Sequence, residues 1–178
     1  MVSLYDQQII THLRQKCSTA KGSHARGAAL EDLVEYMFTQ IPSVKLFQRD
    51  VKDESGAQEV DLVFSHLVFV SMLPMPDVAV MVECKNEKKK TSAAQIREFG
   101  SKLKSRSMPI GIFVTTAGLS GPVGKCAHSA IRDTLSEGIA VIVVTTDELS
   151  AAAGVMHLVD LLRGRLIELR TFRGYKSI

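Results

Sequence analysis

The chain has 178 residues, 46% of them hydrophobic and 23% charged. That is the size of one ordinary domain, which buries roughly 70% of the surface its unfolded chain exposes. No apolar run approaches the roughly 20 residues needed to span a bilayer, and the amino terminus lacks the basic stretch, apolar segment and small-residue cleavage site of a secretory leader, so a cytoplasmic location with no membrane contact is expected. The net charge of +3 is compatible with a polyanionic partner without demanding one. Cys17, Cys84 and Cys126 fit neither a disulfide framework nor a zinc site, and free thiols are expected.

Leu4, Ile9, Ile10 and Leu13 predict a helix over residues 3–17, ended by the polar loop Lys21, Gly22, Ser23 and His24. From Gly27 the spacing of Leu30, Leu33, Val34, Met37 and Phe38 predicts a second helix, stopped before Pro42, with Glu31 in its first turns. Three extended segments follow, over 44–51, 58–70 and 78–85, separated by turn residues at 53–56 and 71–77; they read as an antiparallel meander. The third is apolar on both faces from Val78 to Val82, as expected of a covered central strand. Its polar end is the exception.

A helix over about 92–106 presents Ile96, Phe99 and Leu103 on one face, and Pro109 opens a strand over 110–116. A Gly/Ser loop, a helix to about 137, a strand over 139–145 and a helix to about 163 complete an alternating β/α half, with residues 165–172 as an edge strand. The expectation is a single domain over 1–178: an amino-terminal helix and loop (1–24), a core (25–149), and a carboxy-terminal helix and tail (150–178).

The chemistry concentrates at Val82-Glu83-Cys84-Lys85. Residues two apart in a strand share a face, so Glu83 and Lys85 point together while Cys84 points away. A carboxylate can ligate a hard cation, and an adjacent ammonium can hold water or stabilise charge growing on a phosphate. A hairpin turning near residue 72 or 74 brings Asp61 opposite or almost opposite Glu83. Two carboxylates that close repel unless a proton or cation lies between them, and Mg²⁺ with oxygen ligands is the natural occupant. Glu59 is a lesser candidate on the same face. The bland alternative for Glu83 and Lys85 is an ordinary ion pair at a strand end.

These elements resemble the PD-(D/E)xK nuclease superfamily. Gly27-x-x-Leu30-Glu31 opening a helix, Val60-Asp61-Leu62-Val63, Val82-Glu83-Cys84-Lys85, the helix bearing Gln95, and Gly111-Ile112-Phe113-Val114-Thr115-Thr116 are most similar to the Mrr-type restriction endonuclease domain, over about 25–149. The resemblance implies an α/β protein with a three-layer αβα restriction-endonuclease-like fold around a central mixed sheet. It also implies cleavage of DNA with Mg²⁺ or Mn²⁺, with Asp61 and Glu83 as metal ligands and Lys85 orienting or activating water. Glu31 would be an auxiliary acid acting through a water or a second ion, and Gln95 would support the site from the following helix. Val60 stands where the motif has proline, and no ligand is lost by that.

Lys88, Lys89 and Lys90 read equally as a phosphate clamp or a solvated loop. Lys102, Lys104 and Arg106 suit a helix carboxy terminus, and Arg163, Arg165, Arg170 and Arg173 read as solvated. Pro76-Asp77 is taken as a turn, and His24, His66, His128 and His157 as surface or packing residues. Residues 118–125 miss the phosphate-loop pattern at Leu119 and Cys126, which argues against an NTPase. Two alternatives to a restriction-type or DNA-processing endonuclease stay open: a structure-selective nuclease like the Holliday junction resolvases, and a non-catalytic DNA-binding module of the same fold. A homodimer is expected because cutting both strands commonly pairs two active sites.

Overall fold

A computed structural model describes residues 4–122 and 126–175. Lys125, part of the rejected phosphate loop, lies outside them. Helix α1 (Gln7–Thr19) starts where the Asp6 side chain accepts hydrogen bonds from the backbone N–H groups of Gln8 and Ile9, later than residue 3. Helix α2 (Ser23–Thr39) begins earlier than Gly27, directly after Gly22 at φ +90°. Strands β1 (Lys45–Lys52), β2 (Glu59–Ser65) and β3 (Ala79–Lys85) form the expected antiparallel meander, with the short helix α3 (Val68–Ser71) between the last two.

Then α4 (Ala93–Ser105), β4 (Ile110–Thr115), α5 (Ala127–Ser136) and β5 (Ala140–Thr145) alternate, β3, β4 and β5 running parallel. The sheet order is β1-β2-β3-β4-β5, a mixed sheet in a three-layer αβα arrangement. Helices α6 (Thr146–Ala151) and α7 (Val155–Phe172) close the chain, where one helix was expected. Among the described residues no helix is long and apolar enough to cross a membrane.

Burial follows topology. Every residue of β4 and the first five of β5 are buried, β3 is buried except at its two ends, and β1 is an exposed edge. All three cysteines are free thiols.

Two expectations fail. The apolar run after Ser65 leaves the sheet because β3 ends its pairing at Ala79 opposite Ser65. The corner is pinned by buried His66, whose ring nitrogens hydrogen-bond with Ser71 Oγ and the Asp77 carbonyl, both at 2.6 Å. Residues 165–172 are helix, not an edge strand: Leu158, Leu162, Leu166 and Leu169 are buried at helical spacing straight through Gly164, whose side lies in open space. Arg165 is correspondingly not solvated. It pairs with Glu148 and Glu168 and lies 5.5 Å over the Tyr175 ring.

Helix α4 sits unusually low on β4. A Cβ on Gly111 would lie 2.6 Å from both Leu103 methyl carbons and 2.8 Å from Phe99 Cζ. Gly111→Ala therefore overpacks this contact and is expected to cost about 1–3 kcal/mol in denaturant unfolding; an unchanged midpoint would show that the ends of the Leu103 and Phe99 side chains give way freely.

Candidate active site

Leu62 pairs with Val82 and Val63 with Met81, so the same register continued by one residue sets Asp61 opposite Glu83, as the hairpin arithmetic predicts. Asp61 Oδ2 accepts the backbone N–H of Cys84 at 2.6 Å, which ties the two strands at this level. Glu83 is only 2% exposed. It survives as a buried carboxylate because two ammonium groups reach it. Lys85 Nζ lies 2.8 Å from Oε1, and Lys102 Nζ donates to Oε1 at 3.0 Å and to Oε2 at 3.1 Å.

Lys102 was assigned to the dipole of its helix, and the structure gives it a different partner. It belongs to the buried stripe of α4, three residues after Phe99 and one before Leu103, and is itself buried. A lysine on an apolar helix stripe was the available sign that it had an acid to meet.

Glu31 projects from α2 with its side chain 14% exposed. Its nearest cation is shared. Arg49 Nη2 lies 2.6 Å from Glu35 and 2.9 Å from Asp32, leaving Nη1 at 3.8 Å from Glu31. Burial first, then Asp61 and Asp50, push the Glu31 carboxyl up to about 7 against the pull of Arg49. Burial and the Glu83 charge likewise push Asp61 up to about 6, although the Cys84 N–H, Lys85 and Lys102 favour its ionised form. Burial alone would lower Lys85, but Glu83, Asp61 and Glu98 outweigh it and hold the ammonium above its ordinary value. Cys84 is raised as well. Burial, then Asp61, Glu31 and Glu83, raise its thiol well above normal, so it is no thiolate nucleophile.

The donor set fits a hard divalent cation. Asp61 and Glu31 are raised first by burial and then by neighbouring carboxylates, and a cation relieves the second of these. Among the described residues, no three His, Cys, Asp or Glu side chains gather tightly enough to enclose an ion by themselves. Mg²⁺ does not require that, since it keeps several waters and uses one or two carboxylates plus substrate phosphate.

Other expected residues stand apart. Gln95 is part of a capping box: its Oε1 accepts from the Ser92 N–H and hydroxyl, and its amide donates to Glu87 at 3.1 Å. Its hydrogen bonds thus go to Ser92 and Glu87 rather than to Asp61, Glu83 or Lys85. Glu59 pairs with Lys52 at 3.4 Å. Asp77 lies in the turn before β3, and Lys88, Lys89 and Lys90 form an exposed segment after it.

The family model of the Mrr catalytic domain, described as a restriction endonuclease, matches residues 24–153. A search of curated proteins finds no match.

Lys102→Met leaves Glu83 buried with one ammonium instead of two and is expected to lower stability by about 3 kcal/mol in denaturant unfolding. Glu83→Gln in the same chain is expected to recover part of that loss. A cost below about 0.5 kcal/mol, the scale of an ordinary surface change, would mean the pair carries no weight in the fold.

Proposed function

The chain belongs to the restriction endonuclease family of the Mrr catalytic domain, and on that footing we propose that it hydrolyses DNA phosphodiester bonds with a divalent cation, Mg²⁺ or Mn²⁺. The observation that carries this reading is the convergence of Asp61, Glu83 and Lys85 at one end of the β2–β3 pair, with the Glu83 carboxylate fixed by Lys85 and Lys102.

Asp61 and Glu83 would hold the cation, which when bound supplies Lewis acidity toward a phosphoryl oxygen and lowers the pKa of water. Asp61 spends one oxygen on the Cys84 N–H, which sets its orientation and leaves the other oxygen to face the site. Lys85 is held against Glu83 at 2.8 Å, where its ammonium can orient the attacking water and stabilise charge growing on the phosphate. Lys102 positions Glu83 from α4 and works through that carboxylate. Glu31, which burial and the Asp61 charge raise to about 7 in the absence of a cation, would be the auxiliary acid, acting on the cation through a water or holding a second ion. Gln95 contributes as a positioning residue, through the cap that fixes the start of α4 and through Glu87. Cutting both strands would bring two copies together, and the homodimer is part of this proposal.

Purified protein is expected to nick or linearise plasmid DNA with Mg²⁺ or Mn²⁺ and to be inert in EDTA. Asp61→Asn and Lys85→Ala should each lose about 10²–10³-fold in rate while keeping the wild-type circular dichroism spectrum. Full activity in either variant would exclude this site. Metal-independent DNA binding without cleavage of plasmid or four-way junctions would identify a binding module instead.

A further inference from the structure

A cavity of about 280 Å³ opens beside the candidate active site, at the carboxyl ends of the parallel strands, and none of the residues assigned to hydrolysis line it. Its walls come from five parts of the chain: Arg14 of α1, Arg26 of α2, Asn86, Glu87 and Lys88 after β3, Thr116 after β4, and Asp147 of α6.

The cations here are unequally committed. Arg14 is paired with Asp147. Arg26 has no ion-pair partner among the described residues, and its guanidinium Nε is buried without any hydrogen-bond partner. A buried N–H of a charged group left unpaired is costly, and such an orphan in a native fold calls for a ligand, water or ion. Lys88 is exposed and likewise without a partner among the described residues.

Asn86 fixes the location of this wall. It follows Lys85 directly, and its amide donates to the carbonyls of Cys17 at 3.0 Å and Arg26 at 2.8 Å. Arg26 lies on the same helix as Glu31, five residues before it and about 7.5 Å away along the axis. The volume is near the lower limit of ordinary ligand sites, about 300 Å³. That is room for a phosphate and part of its sugar.

We propose that this cavity is a phosphate subsite for the DNA strand next to the scissile position, with Arg26 and Lys88 as its cations. The assignment rests on DNA being the substrate of the neighbouring site. Arg26 offers the planar fork that grips a phosphate, and Lys88 adds charge at the opening.

The test is binding of a labelled DNA duplex in EDTA across a salt series, followed by fluorescence anisotropy. Arg26→Gln and Lys88→Gln are each expected to weaken binding about tenfold and to reduce the slope of log affinity against log salt by about 0.9. Lys104→Gln, whose ammonium pairs with Glu137, is expected to change neither. Thermal unfolding checks that Arg26→Gln is folded, and the exposed position of Lys88 keeps its variant informative regardless.

Wild-type affinity and slope in both cavity variants, or no DNA binding by the wild type, would overturn the proposal. So would protection by inorganic phosphate that Arg26→Gln abolishes while DNA affinity stays unchanged, because the ligand would then be a free phosphate. Salt-dependent binding that needs Arg26, in a protein that never cuts DNA, would retain the subsite and reject the nuclease. Metal-dependent cleavage with unchanged binding in Arg26→Gln would do the reverse.

Discussion

A carboxylate that is 2% exposed at the end of a central strand is the constraint around which this molecule is arranged. The Glu83 side chain needs partners there, since an unpaired buried charge is among the most destabilising features a fold can carry. Lys85 supplies one ammonium from the same strand. Lys102 must come from across the layer, which requires α4 to lie close on the sheet. The absent side chain of Gly111 permits that approach, with Phe99 and Leu103 filling the space beside it. Packing and charge therefore depend on each other at this contact.

The mixed sheet divides the work between its halves. The antiparallel hairpin places Asp61 across from Glu83, because pairing opposed strands brings residues distant in sequence onto one face at one level. The parallel half leaves a crevice at its carboxyl ends, where the orphaned Arg26 lies. Helix α2 contributes to both regions. Glu31 on this helix feels the charge of Asp61, and Arg26 near its start lines the crevice.

Much of this was legible in the sequence, for identifiable reasons. The turn residues at 71–77 fix the hairpin centre closely enough to align Asp61 with Glu83, and the doubly apolar run before Glu83 identifies a covered strand with an anomalous end. The helix spacing of Leu30, Leu33, Val34, Met37 and Phe38 carries Glu31 with it. Lys102 was misread because a lysine in the last turn of a helix already has a reason to be there, and only its place on the apolar stripe distinguishes it. Residues 66–70 look like strand because Val and Phe favour it, yet pairing ends at Ser65 and the tertiary contacts of His66 decide the conformation. Helix α7 was cut short at Gly164, although the leucine spacing continues past it. Arg26 carried no sign at all, since its orphaned nitrogen exists only after α1, α2 and the segment following β3 meet.

The central claim is that the excess negative charge at Asp61, Glu83 and Glu31 is the seat of a divalent cation. Titration calorimetry with Mn²⁺ in buffers of different ionisation enthalpy tests it directly, because a cation binding to carboxyls held at about 6 and about 7 must displace their protons. Binding at about pH 6 should release protons, and the release should fade by about pH 8.5, where both groups are already ionised. It should also diminish in Asp61→Asn. Binding of Mn²⁺ with no proton release at about pH 6, or unaltered binding in Asp61→Asn, would place the ion elsewhere and contradict the account.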